Sequence, residues 1–496
     1  MGSLVYRFGE FELDSSAFEL RRRGEAVPVQ PQVFAVLEHL VRNANRLVSR
    51  DELLEAVWGD SFVSEATLSS RIMAARKALG DTGRGQQWIR TVHGRGVRFV
   101  GRVEATEEET AQSWTLDRLL EEARGALGRA DTSRAEEWLV RAEAALQANE
   151  EADAMRAEWH SLRAQWLILR RGWGCEEARE HYEEAIRIAE GVAAVDQFRS
   201  ARYHLATMHE LRADFSRSET LMRAAVAQDL EGRDAESREL LACSLFHQGR
   251  FDEAAEQARR GAETCGDMGS NRLSAYYGED PQVSCNYWLA LALWISGDED
   301  EAARHESRAL RLSEQPGRIF CLAHSRQQSA MLAQLRRDFR LCEHWASATV
   351  AIGERQGLAY REAAGRILLG WARAMLGEAT EFVEPMADSL GRLSSACAEM
   401  EAPYFGSLLA EVEMKAGRAS DAAKRLRGAL ESSAVSRGYF FHAEMLRLLA
   451  LADFEATRAK EVAARLLGEA KAVAERQGAR AFATRIAETL TSILPG

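Results

Sequence analysis

Apolar residues change their spacing twice along this chain. Near the start they alternate with polar ones in short runs, Val5-Tyr6-Arg7-Phe8, Phe11-Glu12-Leu13, Phe18-Glu19-Leu20-Arg21 and Ala26-Val27, ahead of Pro28. A period of two broken by turns predicts four short antiparallel strands. From Gln30 to Asn43 the period lengthens, and Val33, Leu37, Leu40 and Val41 share one helical face. Ser49-Arg50-Asp51-Glu52 reads as a capping box, Ser49 the cap and Glu52 its reciprocal partner, opening a second helix that ends at Trp58-Gly59. A third helix spans Ser64 to Gly80, with Leu68, Ile72, Ala75 and Leu79 inward. Glu65 and Asp81 bracket its ends, and Gly80 can close it. Trp88-Ile89-Arg90-Thr91-Val92 and Val97-Arg98-Phe99-Val100 return to β pattern, joined by His93-Gly94-Arg95-Gly96. The glycines let that hairpin turn tightly and leave Arg95 at its tip.

The outer face of the third helix carries Ala66, Ser70, Met73 and Lys77, flanked by Thr67 and Ala74 on one side and Ser69 and Arg76 on the other. Small and polar groups ending in cations can approach a base edge while neutralising phosphate. The formal net charge of -12 argues against a nucleic-acid partner only as an average. Between Arg71 and Arg102 eight basic residues (Arg71, Arg76, Lys77, Arg84, Arg90, Arg95, Arg98, Arg102) face the single acid Asp81. That local excess is the footprint of a polyanion site, and a cation on a narrow β-ribbon suits the minor groove or its phosphates.

Gln30-Pro31-Gln32-Val33-Phe34-Ala35-Val36-Leu37, the run Leu47 to Gly59, Arg76-Lys77-Ala78-Leu79-Gly80, and Ile89-Arg90-Thr91-Val92-His93-Gly94-Arg95-Gly96-Val97-Arg98-Phe99 together resemble the winged-helix effector domain of OmpR/PhoB-type transcriptional regulators. The resemblance covers residues 4 to 103. It implies a recognition helix in which Thr67 and Arg76 contact phosphate and Ser70, Arg71 and Ala74 face bases, with a wing carrying Arg95 toward the minor groove. With Trp58, Ser69, Lys77, Arg90, Thr91, His93 and Arg98 these form the expected DNA-binding set. Two departures stand out: Met73 and Ala74 occupy positions often basic or larger in the family, and the wing cation lies at Arg95 with His93 where relatives often have Arg. Base preference is therefore not inherited. The loop Gly59 to Glu65, which in relatives can touch RNA polymerase, is about a residue short. Relatives commonly bind direct repeats as head-to-tail pairs, so a homodimer on promoter DNA is expected. Many carry a phosphoacceptor receiver before the winged helix; here the winged helix opens the chain, so control by aspartyl phosphorylation is not expected.

Residues 104 to 112, acidic and without large apolar side chains, read as a linker. From 113 to 496 nearly everything is helix-forming. Self-comparison finds short motifs after Gly249, Gly297, Arg337, Gly377, Gly417 and Thr457, each following one apolar helix and opening another, the last five about 40 residues apart. Weaker copies lie near Gly174, Ala213 and Asp131. Such units cannot bury their stripe alone and must stack into a superhelix with a concave inner surface. The array resembles the tetratricopeptide class in a 40-residue form. Residues 235 to 455 also resemble the helical sensor ends of large bacterial regulators and of some nucleotide-cyclase and ATPase signalling proteins. An excess of about eight residues before Gly297 falls around Asn271 to Pro281 and brings Tyr276, Tyr277, Asp280, Tyr287 and Trp288 together. Two readings of it are open: a clamp for a ligand or peptide, or rings filling a gap between unequal repeats.

Seven cysteines are scattered, with no pair at metal-ligand spacing, which suits reduced thiols in the cytoplasm. The eleven histidines form no zinc pattern; His204 and His209 do not share a helical face well, and His209-Glu210 lacks the second histidine of a zincin. No glycine-rich phosphate loop or Gly-x-Ser-x-Gly elbow occurs, so neither catalysis nor a cofactor or metal is expected. No apolar run approaches the roughly 20 residues of a membrane span. The fold class expected is mostly α: a small α+β winged-helix domain (1–103), an acidic linker (104–112) and an all-α tetratricopeptide-like superhelix (113–496). The function expected is a cytoplasmic, sequence-specific regulator of transcription whose array binds a ligand or protein partner. The alternative is an interaction scaffold whose winged helix does not bind DNA.

Overall fold

The computed structural model describes residues 3–493 apart from 16–18, 30, 59–64, 82–84, 93–94, 109–113, 129–130, 148, 150–151, 193–194, 230–233, 265–279, 316–318, 378, 396–398 and 433–437. The chain divides into two compact units, Met1–Trp114 and Thr115–Gly496.

In the first unit the alternating runs form β1 (Ser3–Phe8), β2 (Phe11–Asp14), β3 (Glu19–Arg22) and β4 (Glu25–Val27). Cross-strand partners Tyr6 and Leu13, Phe8 and Phe11, and Leu13 and Leu20 put one buried face toward the helices. The helices are α1 (Pro31–Arg42), α2 (Arg50–Trp58) and α3 (Glu65–Ala78). Val33, Leu37, Leu40 and Val41 of α1 are buried, as are Leu68, Ile72, Ala75 and Leu79. The hairpin is β5 (Ile89–Val92) and β6 (Gly96–Phe99). The Trp88 ring packs on Phe8, Phe11 and Phe99 and seals the hairpin base.

Two local expectations change. The first part of the acidic run is not a hinge but a fifth strand, β7 (Glu104–Glu108), antiparallel to β1 with Val5 opposite Thr106; the sheet order is β4-β3-β2-β1-β7. Side-chain pattern gives no hint of this, because what holds the strand is the backbone ladder that covers the β1 edge. At the start of α2 the Ser49 hydroxyl accepts the Glu52 N–H at 3.1 Å, as a cap should. The Glu52 carboxylate turns to Arg46 and His39 instead of back to Ser49, and Arg46 first among these holds it at about 2.

The second unit is a series of antiparallel helix pairs. They begin with α4 (Leu116–Gly128) and α5 (Thr132–Gln147), α6 (Asp153–Arg171) and α7 (Glu176–Gly191), then α8 (Val195–Leu211) and α9 (Phe215–Gln228). Next come α10 (Ala235–His247) and α11 (Phe251–Thr264), α12 (Pro281–Ser296) and α13 (Glu299–Ser313), and α14 (Ile319–Arg336) and α15 (Phe339–Gln356). The last are α16 (Ala359–Leu376) and α17 (Val383–Ser395), α18 (Ala402–Lys415) and α19 (Ala419–Glu431), and α20 (His442–Thr457) and α21 (Lys460–Gln477), with α22 (Arg480–Ile493) closing the array. Among the described residues no helix is long and apolar enough to cross a membrane.

The repeat motif has a local cause. At Ala213, Gly249, Gly297, Arg337 and Gly417 the chain turns left-handed, and the next N–H reaches back to the preceding helix, as from Asp298 to Leu293 O and from Asp338 to Ala333 O, both 2.9 Å. Asp298 and Asp338 then cap the following helix by accepting the N–H of Glu301 and Leu341. One residue ends a helix and its neighbour starts another, which makes the motif recur. The expected inner surface is largely filled. Helices α10, α12 and α20 are buried nearly all round, whereas α11, α13 and α19 bury one stripe and face outward. The coil is tight enough for distant repeats to meet: the Phe440 N–H donates to His247 O at 3.0 Å, and Arg485 donates to Leu335 O at 2.6 Å, 150 residues away in sequence. At Gly249 a Cβ would lie 2.3 Å from Gly438 O, so this turn needs glycine for the approach of a remote repeat as well as for its own angle.

Candidate nucleic-acid interface and inner cavity

On α3 the residues opposite the core are open to solvent. Ser69, Ser70 and Lys77 are exposed, and Met73 is 67% exposed, a large apolar side chain in the middle of a polar row. Thr67, Arg71 and Ala74 are half-buried. Arg71 donates to Gln32 Oε1 at 3.1 Å. Arg76 is turned toward the hairpin, donating to Ile89 O at 2.9 Å and Thr91 Oγ1 at 2.8 Å. This arginine fixes the wing relative to the helix, and Thr91 takes part as its acceptor. The side chain of Trp58, and His93 altogether, lie outside the described residues.

Asp81 sits where α3 gives way to the hairpin and is buried. Its carboxylate accepts the N–H groups of Gln87 (2.8 Å), Trp88 (3.0 Å) and Ile89 (3.0 Å). Burial pushes its pKa up, but those three N–H groups and Arg76 outweigh it and leave the carboxyl below its ordinary value. Sequence pattern treated this residue as a helix-end acid; its isolation in a basic stretch was the available signal. Gly96 was read as turn flexibility and proves to be a docking point. Its φ is +137°, and a Cβ there would lie 2.1 Å from Val48 O. The close approach lets Val48 and Val97 exchange two backbone hydrogen bonds of 2.9 Å, tying the wing to the α2 entry. Between α3 and the wing lies a cleft of about 160 Å³, bordered by Arg50, Ser69, Met73 and Thr91.

The wing's outer face pairs cation with cation. Arg90 stands directly opposite Arg98 in the β5–β6 register, and both are exposed, as is Arg95 next to the turn. Like charges opposed across a ladder cost about 0.2–1 kcal/mol unless an anion lies over them.

In the second unit a cavity of about 360 Å³ lies among the inner helices. Trp288, one of five candidates there, lines it and donates its indole N–H to Glu239 Oε1 at 2.9 Å, while Tyr203 OH donates to the other oxygen at 3.2 Å. Across the cavity Tyr360 OH donates to Glu401. Tyr287 faces elsewhere: its hydroxyl meets Ser329 Oγ at 3.2 Å and its ring packs with Val283, Ala309 and Cys321. Asp280 accepts the Gln282 N–H at 2.8 Å and caps α12. Tyr276 and Tyr277 lie outside the described residues. Sequence reading missed Tyr203, Glu239, Tyr360 and Glu401, since they come from separate repeats and share no spacing.

Glu210, Cys243 and His247 bring ligating atoms within 4.8 Å of one another, a convergence that sequence spacing did not show. Burial pushes Glu210 up to about 7 against hydrogen bonds from Ser244, Ser218 and Cys243. Burial likewise lowers His247 to about 4, while its Nδ1 lies 3.0 Å from Cys243 O and its ring stacks on Phe215. A neutral acid, thiol and imidazole fit this packing.

Residues 24–99 match the family model described as "Transcriptional regulatory protein, C terminal". The phosphate regulon transcriptional regulatory protein PhoB of Rhizobium meliloti is 38% identical over 95 residues, 19% of this chain and 41% of PhoB. The transcriptional regulator HilA of Salmonella typhi is 36% identical over 92 residues, 18% of this chain and 16% of HilA. The chain thus spans less than half the length of either relative. Among solved structures, the Klebsiella pneumoniae RstA DNA-binding domain in complex with the RstA box is 26% identical, covering 19% of this chain and 96% of that one, with a TM-score of 0.19. The quorum sensor NprR of B. thuringiensis in its apo form is 14% identical over 72% of this chain and 98% of that one, with a TM-score of 0.46. The amino-terminal unit is an OmpR/PhoB-type DNA-binding domain, and the remainder is an all-α superhelical repeat.

Proposed function

We propose that this protein is a cytoplasmic, sequence-specific DNA-binding regulator of transcription whose carboxy-terminal array controls it by binding a ligand or protein partner. In this reading α3 enters the major groove, presenting Ser69, Ser70, Arg71, Met73 and Ala74 to base edges, and Thr67 and Lys77 meet phosphate. Arg76 and Asp81 hold the wing at the spacing that lets Arg90, Arg95 and Arg98 reach the minor groove and its flanking phosphates. Two protomers occupy a direct repeat head to tail, within reach of RNA polymerase.

The observation that carries the reading is the opposed pair Arg90 and Arg98, a placement a β-ribbon tolerates best with a polyanion across it. PhoB, HilA and RstA support it by likeness of the amino-terminal unit alone. Control by the array is supported by the cavity, whose size falls in the range of about 300–1,000 Å³ usual for ligand sites.

Selection of sequences from random duplexes with the full chain tests DNA recognition. A defined site is expected, with log affinity falling linearly in log salt; enrichment of no sequence would overturn the reading in favour of a scaffold. Control is tested separately by Thr207→Phe, which fills the cavity and is expected to change operator affinity at least threefold. Unchanged affinity in a folded variant would detach the cavity from DNA binding.

A further inference from the structure

The geometry points to a small organic ammonium ion as the ligand of the inner cavity, held between aromatic rings and carboxylates contributed by five separate repeats. This rests on the proposed ligand control by the array and names the chemical class of that ligand. Three rings on the wall have their polar hydrogens committed to carboxylates: Trp288 and Tyr203 to Glu239, and Tyr360 to Glu401. A phenol or indole that donates to an anion gains electron density in its ring, which strengthens attraction for a cation over its face. Glu239 and Glu401 line the cavity against one guanidinium among the described residues, that of Arg361, which donates to Gln327 at 3.0 Å, while Glu210, whose carboxyl burial lifts to about 7, is left out of that balance. His204 on the same wall adds no positive charge at neutral pH, since burial lowers it to about 4. The cavity is therefore negative as well as aromatic, and an anion or a neutral polar molecule would not use its groups.

Gln328 supplies a second, independent sign. It is 2% exposed and lines this cavity, and its Oε1 has no hydrogen-bond partner among the described residues although its Nε2 meets His324. A buried acceptor left unmade costs about 1–3 kcal/mol in the empty protein; a ligand hydroxyl or ammonium N–H supplies the missing donor. Trp173 and Met400 complete an apolar margin suited to the alkyl part of such a molecule.

Isothermal titration of the full chain with isosteric pairs that differ in charge tests this: choline against 3,3-dimethylbutan-1-ol, and butylammonium against butan-1-ol. The expected result is saturable binding of at least one ammonium, tenfold or more tighter than its neutral counterpart. Glu239→Gln and Glu401→Gln each reduce that preference at least fivefold while the alcohol binds as it does to the parent and the variants still unfold cooperatively. Equal binding of ammonium and alcohol would overturn the assignment and leave ligand control standing with an apolar ligand. Binding of neither would overturn it as well, and the Thr207→Phe effect on operator affinity then decides control on its own. An ammonium preference that survives both substitutions would place the cation elsewhere and reject this cavity.

Discussion

The two units put their working residues in opposite surroundings. On the winged helix the groups proposed to meet DNA (Ser70, Met73, Lys77, Arg90, Arg95, Arg98) stand in solvent, and what positions them (Asp81, Arg76, Gly96) is a separate set beneath. In the array the groups that would hold a ligand, Trp288, Glu239 and Glu401, are part of the packed interior. Stability and recognition can therefore be varied independently in one unit and not in the other. In the first unit a contact can be removed without touching the fold; in the second every change to the site is also a change to the core.

The sharpest way to break that separation is at Gly96. Alanine there meets both a backbone angle of +137° and the carbonyl of Val48, so the Val48–Val97 hydrogen bonds must open. Strain plus two lost bonds is worth roughly 3 kcal/mol or more, enough to lower operator affinity about 100-fold if it falls on wing placement. Gly96→Ala should therefore lose DNA binding and melt the amino-terminal unit earlier while the array's unfolding is unchanged. Operator titration and calorimetry of the full chain read both, and near-normal binding would show that the wing does not depend on this docking point.

The counterpart in the array is Glu444, buried between Arg447 and Arg485 with contacts of 2.9 Å and 3.0 Å. Burial opposes its charge, but the two guanidiniums outweigh that and hold it at about 2. Its stabilising contribution is complete above the ordinary carboxylate range and is lost as pH falls toward 2. Glu444→Gln leaves two cations buried without their anion and should cost about 3–5 kcal/mol at pH 7, seen in denaturant unfolding of the array. The gap should narrow with acid; one of the same size at pH 3 and pH 7 would contradict it.

Glu210 has the opposite sign. Burial lifts its carboxyl to about 7, so it is protonated in the folded protein where the unfolded chain is already ionised. The stability it offers is full below the ordinary carboxylate value and disappears as pH rises through 7. Glu210→Gln should then match the parent near pH 4.5 and exceed it by up to about 3 kcal/mol at pH 8. A variant less stable at both pH values would mean that the ionised carboxylate is what the interior needs.

The same contrast explains what the sequence disclosed. The inward faces of α1 and α3, the four opening strands and the hairpin follow from local period, and the array's rhythm follows from a left-handed residue with an aspartate beside it at Gly297 and Arg337. These are properties of neighbours in sequence. Strand β7 has no apolar pattern and exists by pairing with β1, far away in sequence. The cavity is likewise assembled from separate repeats, and among the described residues of its wall only Trp288 was anticipated, because an insertion drew notice to it. Asp81 was visible but misread, since the chain does not announce that three N–H groups will turn back on it.

The smallest effect discriminates best between a surface built for contact and one built for folding. Arg98 is exposed, opposes Arg90 and has no side-chain partner among the described residues. If it serves phosphate, Arg98→Ala should weaken operator binding about tenfold at low salt and flatten the dependence of log affinity on log salt by about 0.9. Stability should stay within about 0.5 kcal/mol of the parent, and any change should be a gain, because the repulsion from Arg90 goes with it. Removing Arg90 as well should flatten the slope by a similar further step, each arginine having displaced its own counterion. A destabilised wing with an unaltered salt slope would instead make these arginines structural, and the separation of contact from fold in the first unit would fail where it is most exposed.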